Sequence, residues 1–142
     1  MRISDVLRGK GSSVATVDPG LSVGGTVAEL ARHNVGALVV MDGGRVAGIV
    51  SERDVVRQLD ARGAGLLDAP VSEIMTRTVV TCLLSDSVDS LAATMTERRI
   101  RHMPVVIEGQ LVGIVSIGDV VKSRITELET DREQLESYIA RG

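Results

Sequence analysis

Two segments of the chain carry polar residues at the same spacing: Gly48-Ile49-Val50-Ser51-Glu52-Arg53-Asp54 and Gly113-Ile114-Val115-Ser116-Ile117-Gly118-Asp119. Both read Gly, two aliphatics, Ser, two variable residues, then Asp. A glycine permits close backbone approach and a seryl hydroxyl can donate to a phosphate. A carboxylate at a strand-to-helix junction can accept both hydroxyls of a ribose. Amides at a helix N-terminus favour an anion beside them. The same spacing also has a purely structural meaning. Ser-x-x-Asp ahead of an apolar run is a capping-box variant, in which hydroxyl and carboxylate satisfy the first free amides of the helix. On spacing alone, capping is the stronger reading.

The elements that must position these residues are repeated as well. Val35 to Val56 aligns without gaps on Ile100 to Val121 at an offset of 65, with nine of 22 positions identical. Thr16 falls on Thr81, Leu21-Ser22-Val23 on Asp86-Ser87-Val88 and Leu30 on Met95. Ile3 to Leu7 matches Val71 to Met75 once a three-residue insertion is allowed, so the chain is a tandem duplication whose second copy starts near Pro70. Ser22 and Ser87 are expected to cap amphipathic helices. Asp42-Gly43-Gly44-Arg45 and Glu108-Gly109-Gln110 predict hairpin turns between aliphatic strands. A polar step and a further helix follow each hairpin. Each half thus reads β-α-β-β-α, an α+β fold whose strands are aliphatic runs because both sheet faces need cover. The expected divisions are residues 1–69, 70–125 and a helical tail over 126–142.

Composition narrows the function classes. The 142 residues include no Phe, no Trp and one tyrosine, Tyr138, so neither aromatic stacking of single-stranded nucleic acid nor an aromatic cage can be built. With 16 Lys+Arg against 19 Asp+Glu and a net charge of -3, there is no basic field for nucleic acid or for an anionic membrane surface. A single cysteine, Cys82, permits no internal disulfide and, with aliphatic flanks, reads as a packed apolar residue rather than a redox thiol. Only two histidines, His33 and His102, are present, without a metal-ligand cluster or a Ser-His-Asp arrangement, so neither metal binding nor catalysis is expected. Gly43-Gly44-x-x-x-Gly48 precedes a strand rather than opening a helix and is a hairpin, not a dinucleotide loop. No signal-peptide core or membrane-length apolar run is present, and a cytoplasmic location is expected.

The duplicated unit, the Arg101-His102-Met103-Pro104-Val105-Val106 segment and the two Gly-Ile-Val-Ser-x-x-Asp endings resemble a pair of cystathionine β-synthase (CBS) domains, a Bateman module, of the stand-alone bacterial kind. The resemblance runs from Ile3 to about Ile125 and implies pseudo-twofold symmetry with two clefts between the sheets. It also implies a regulatory role through adenosine-containing ligands: AMP, ADP, ATP, NAD(H) or S-adenosylmethionine. Carried over, Asp54 and Asp119 would hold ribose hydroxyls, and Ser51 and Ser116 the phosphate or a neighbouring sugar oxygen. Adenine would lie against Ala15, Thr16 and Leu38-Val39-Val40 in one cleft and Val80, Thr81 and Met103-Pro104-Val105 in the other. Arg53, Arg101 and His102 fall where such proteins place phosphate-contacting cations. The resulting expectation is an energy sensor that modulates an unidentified partner protein.

The two copies are unequal. Arg101, His102 and Pro104 replace Gly36, Ala37 and Val39, while Arg53 is matched by Gly118. One cleft is therefore expected to bind phosphate more tightly, and the spacing does not say which. For Arg98, Arg99 and Arg101 the alternative is a solvated helix end. In the tail, Val121, Ile125, Leu128, Arg132, Leu135 and Ile139 alternate four and three apart, a heptad seam that predicts a homodimer contact or a helix folded back on its own domain. The alternative to a sensor is a structural adaptor whose clefts are vestigial and whose Ser-x-x-Asp motifs only cap.

Overall fold

The computed structural model describes residues 1–141. In chain order the elements are α1 (Ile3–Lys10), β1 (Thr16–Val17), α2 (Val23–His33), β2 (Ala37–Asp42), β3 (Arg45–Ser51), α3 (Glu52–Arg62), two short 3-10 turns (Ala64–Asp68 and Val71–Glu73), α4 (Val88–Arg98), β4 (His102–Ile107), β5 (Gln110–Ser116) and α5 (Ile117–Arg141). The first sheet has the order β1-β2-β3, parallel between β1 and β2 and antiparallel between β2 and β3. The second is the β4-β5 hairpin, with Cys82 bridging Val105 in parallel where a first strand would lie. The β-α-β-β-α pattern thus holds in both halves, its second leading strand reduced to a single bridge.

Local chemistry explains the match. Ser22 Oγ accepts from the Gly25 amide at 3.0 Å and Ser87 Oγ from the Ser90 amide at 3.1 Å, so both predicted caps form. Gly43 and Gly44 (φ 57° and 84°) and Glu108 and Gly109 (φ 49° and 78°) supply the positive dihedrals that the tight hairpins require. Each hairpin also carries an irregularity at the equivalent place, between Val40 and Met41 and between Val105 and Val106.

The two cores exchange their leading segments. Ile3 and Leu7 of α1 are buried with Cys82, Leu91, Met95, Val105 and Val115 of the second copy. Val71, Ile74 and Met75, the leading segment of the second copy, are buried with Val17, Leu30, Leu38 and Val50 of the first. Backbone bonds repeat the exchange: Val88 N donates to Met1 O at 3.0 Å and Val23 N to Ala69 O at 2.8 Å. Packing therefore crosses the division expected near residue 70.

The glycine of each motif is explained by the same crossing. A Cβ on Gly48 would lie 2.8 Å from both Thr76 O and Met75 Sδ, and one on Gly113 would lie 2.6 Å from Leu7 Cδ1. The close approach that these glycines permit is thus made by the chain's own leading segments. At the other end, α5 runs unbroken from Ile117 to Arg141, so the tail continues the helix that starts at the second motif. Ile125, Leu128, Leu135 and Ile139 are all more than half exposed; the tail does not fold back on its own domain.

Candidate functional site

Both motifs form the predicted capping geometry. Asp54 Oδ2 accepts from the Ser51 amide at 2.9 Å and from Ser51 Oγ at 3.1 Å, while Ser51 Oγ accepts from the Asp54 amide at 3.3 Å. At the second motif Asp119 Oδ2 accepts from the Ser116 amide at 2.9 Å and Ser116 Oγ accepts from the Asp119 amide at 3.2 Å. Capping uses one carboxylate oxygen of each aspartate. It holds the side chain at the helix N-terminus with the other oxygen left over, so capping and ligand binding do not compete.

The surroundings of the two motifs differ. Ser51 and Asp54 open onto a cleft of about 310 Å³ whose walls come from both copies. Its floor is Gly36, Ala37 and Ile49. One side is the start of α3, with Glu52, Arg53 and Arg57. The other comprises the crossing segment Thr76 to Val80 and the loop Arg99 to His102. Arg53, Arg57, Arg99 and Arg101 thus face one volume, and among the described residues none of them is in an ion pair. Arg99 adopts φ 55° as the left-handed cap of α4, a conformation uncommon for a long side chain, where the first copy has Asn34. Arg53, Arg99 and Arg101 also border an adjoining hollow with Met95 and Ile117, so the cationic surface continues beyond the cleft mouth.

At the second motif the carboxylate is already engaged. Lys10, the last residue of α1, places Nζ 2.7 Å from Asp119 Oδ2 and 3.0 Å from the Ile114 carbonyl. Burial pushes the Asp119 carboxyl up, but hydrogen bonds from Lys10 and Ser116 outweigh it and hold the pKa below the ordinary value. His102 sits between the motifs. Burial, then the nearby Lys10 ammonium, lowers its pKa against the opposing influence of Asp119 and Glu52, leaving the imidazole neutral at pH 7.

The residues expected from the sequence therefore separate. Ser51, Arg53, Asp54, Val80, Arg101 and His102 meet in the first cleft. Val40, Met103 and Val105 are buried in the two cores, Val39 and Pro104 are buried beside them, and Thr16 is an exposed residue of β1. Thr81 borders a separate open groove between the two hairpin turns. None of these seven lines the first cleft: the five buried ones lie on strands covered on both faces, and Thr16 and Thr81 face outward elsewhere. Arg57 went unnoticed in the sequence, although its place four residues after Arg53 puts both on one helix face. Lys10 went unnoticed too, since nothing local marks it. Cys82 is 3% exposed and its thiol is pushed up to about 12, chiefly by burial and secondly by Asp86; it packs as predicted. Among the described residues no cluster of His, Cys, Asp or Glu could hold a metal, and no helix is long and apolar enough to cross a membrane.

The CBS-domain family model matches the chain twice, over residues 3–61 and 71–125. The chain belongs to the CBS-domain family. A CBS-domain-containing protein of Agrobacterium tumefaciens, ATU1752, superposes with a TM-score of 0.86 at 45% identity, over 87% of this chain and 99% of that one. The CBS-domain protein PAE2072 of Pyrobaculum aerophilum, solved in complex with AMP, gives a TM-score of 0.78 at 31% identity over 92% and 99%. The CBS domain pair of protein MJ0100, solved with 5′-methylthioadenosine and S-adenosyl-L-methionine, gives 0.80 at 26% over 89% and 98%. The tandem module anticipated from the motifs is thus shown, and similar proteins hold adenosine-type ligands.

Proposed function

We propose that the chain is a regulatory, non-catalytic module that binds an anionic adenine nucleotide in the first cleft and passes that state to a partner protein. The carrying observation is the convergence of four arginines outside any ion pair on the cleft that also presents Ser51 and Asp54. Asp54 accepts the ribose hydroxyls through its remaining oxygen, Ser51 stands beside the sugar, and the fork donors of Arg53, Arg57, Arg99 and Arg101 receive the phosphates. Val80 and Ile49 supply apolar contact for the base. Such a site favours AMP, ADP and ATP over S-adenosylmethionine, whose sulfonium and amino groups add positive charge to a positive cleft. NAD(H) requires room for a second nucleotide, for which the adjoining hollow beside Met95 is the available space.

Because the walls of the cleft come from both copies, a bound nucleotide ties the halves together at the start of α3. That helix and α5 carry the exposed apolar residues Val56, Val121, Ile125 and Leu128. We infer a homodimer through this face, with the α5 extension continuing the seam, so that a ligand at the start of α3 biases the packing of the dimer and whatever docks on it.

Calorimetry with AMP, ADP, ATP, NADH and S-adenosylmethionine tests the reading. At 100 times its dissociation constant a ligand stabilises the fold by about 2.7 kcal/mol, a readily measured shift in Tm. Absence of heat and of a Tm shift with every phosphorylated ligand at millimolar concentration overturns it in favour of the adaptor.

A further inference from the structure

We propose that Lys10 is the resident occupant of the second motif cleft, excluding nucleoside from Asp119 and holding the chain to one bound nucleotide. The inference uses the first-cleft reading only for its probe and otherwise stands on different residues. The two halves close the same strand edge by different means. In the first half the Ile49 carbonyl accepts from the backbone amide of Thr76 at 2.8 Å, and among the described residues Asp54 is in no ion pair. In the second half the equivalent carbonyl, Ile114, accepts from the Lys10 ammonium at 3.0 Å, and the same ammonium reaches Asp119 at 2.7 Å.

That ammonium shares Oδ2 with the helix cap; standing beside the remaining oxygen, it neutralises the carboxylate and crowds the side from which a ribose hydroxyl would donate. A ribose entering this cleft must break a charge-assisted bond and leave Lys10 without its carboxylate. The cleft offers little in return. The positions that mirror Arg53, Arg99 and Arg101 are Gly118, Asn34 and Gly36, and only Arg57 has a cationic counterpart, Lys122. His102 adds no charge, being neutral and facing Lys10, Asp119, Glu52 and Arg101. Phosphates therefore gain less here than in the first cleft, and the ligand that fits once Lys10 is removed is a nucleoside recognised mainly through its ribose. The latch is accessible: the Lys10 and Asp119 side chains are 33% and 20% exposed.

Titration calorimetry of the full chain with AMP and with adenosine tests this, using Lys10→Met and, as a second variant that keeps a donor for the Ile114 carbonyl, Lys10→Gln. The wild type should take one AMP per chain. Each Lys10 variant should take a second, and adenosine should match AMP at the new site while falling at least about tenfold below it at the first. Adding Asp119→Asn to Lys10→Met should restore a single site. Two sites in the wild type, one site in both Lys10 variants, or weaker binding in those variants would each overturn the proposal, the last by making Lys10 a ligand contact. Binding of neither ligand to any variant removes the first-cleft reading and this inference with it; one site throughout removes this inference alone.

Discussion

The two Gly-Ile-Val-Ser-x-x-Asp motifs adopt nearly the same local geometry, yet Asp54 lines a cleft with arginines that make no ion pair among the described residues, whereas Asp119 is paired with Lys10. Ser51 and Ser116 cap their helices at 3.3 and 3.2 Å and both aspartates return the bond at 2.9 Å. What separates the sites is everything brought to them from elsewhere: a backbone segment and an arginine-rich loop on one side, a lysine and, as that loop's counterpart, the uncharged Asn34-Val35-Gly36-Ala37 on the other. A motif thus specifies its own conformation, whereas the opposite copy determines whether it is usable.

The largest expected effect breaks the comparison directly. Asp54→Ala should abolish the Tm shift given by AMP, weakening binding by about 100-fold or about 2.7 kcal/mol. Asp119→Ala should leave affinity at the first cleft within a factor of about two; equal losses from both variants would show the clefts to be equivalent. The motif glycines should rank next in urea unfolding. Gly48→Ala places a methyl against the Thr76 backbone and should cost about 2 to 3 kcal/mol. Gly113→Ala meets only the end of Leu7, which can turn aside, and should cost about 1 kcal/mol. The smallest effect concerns the equivalent helix positions Val56 and Val121, 65% and 51% exposed. If both motif helices lie in the dimer, Val56→Ser and Val121→Ser should each weaken it in sedimentation equilibrium by about fivefold, about 1 kcal/mol. Loss confined to Val121→Ser would restrict the interface to α5.

Much of this arrangement was legible in the sequence for physical reasons. The hairpins follow from glycines at positions needing positive φ, the helix starts from Ser22, Ser87, Ser51 and Ser116, and the duplication from direct alignment. The cation assignment was not legible. Aligning Arg101 with Gly36 says that the copies differ, but the loop carrying Arg101 faces the motif of the other copy, and no local spacing reveals that crossing. The suggested adenine contacts at Val39 and Val40 for one cleft and at Met103 and Val105 for the other are buried and line no part of the first cleft, for a related reason. A strand covered on both faces shows no alternation, so its sequence does not say which side chains point to the core. Lys10 acts 109 residues away from its partner, and its meaning depends on where α1 docks.

That docking has a consequence for how the protein can be divided. A fragment ending at Ala69 lacks Val71, Ile74 and Met75, which complete the first core, and retains Ile3 and Leu7, whose apolar faces belong to the other core. The complementary fragment has the reverse deficit. Each half is thus missing a wedge and carrying a surplus one, like two hands clasped with crossed thumbs. Neither half holds a complete core, although each matches the family model separately. The least piece of this chain in which both cores are complete is the pair.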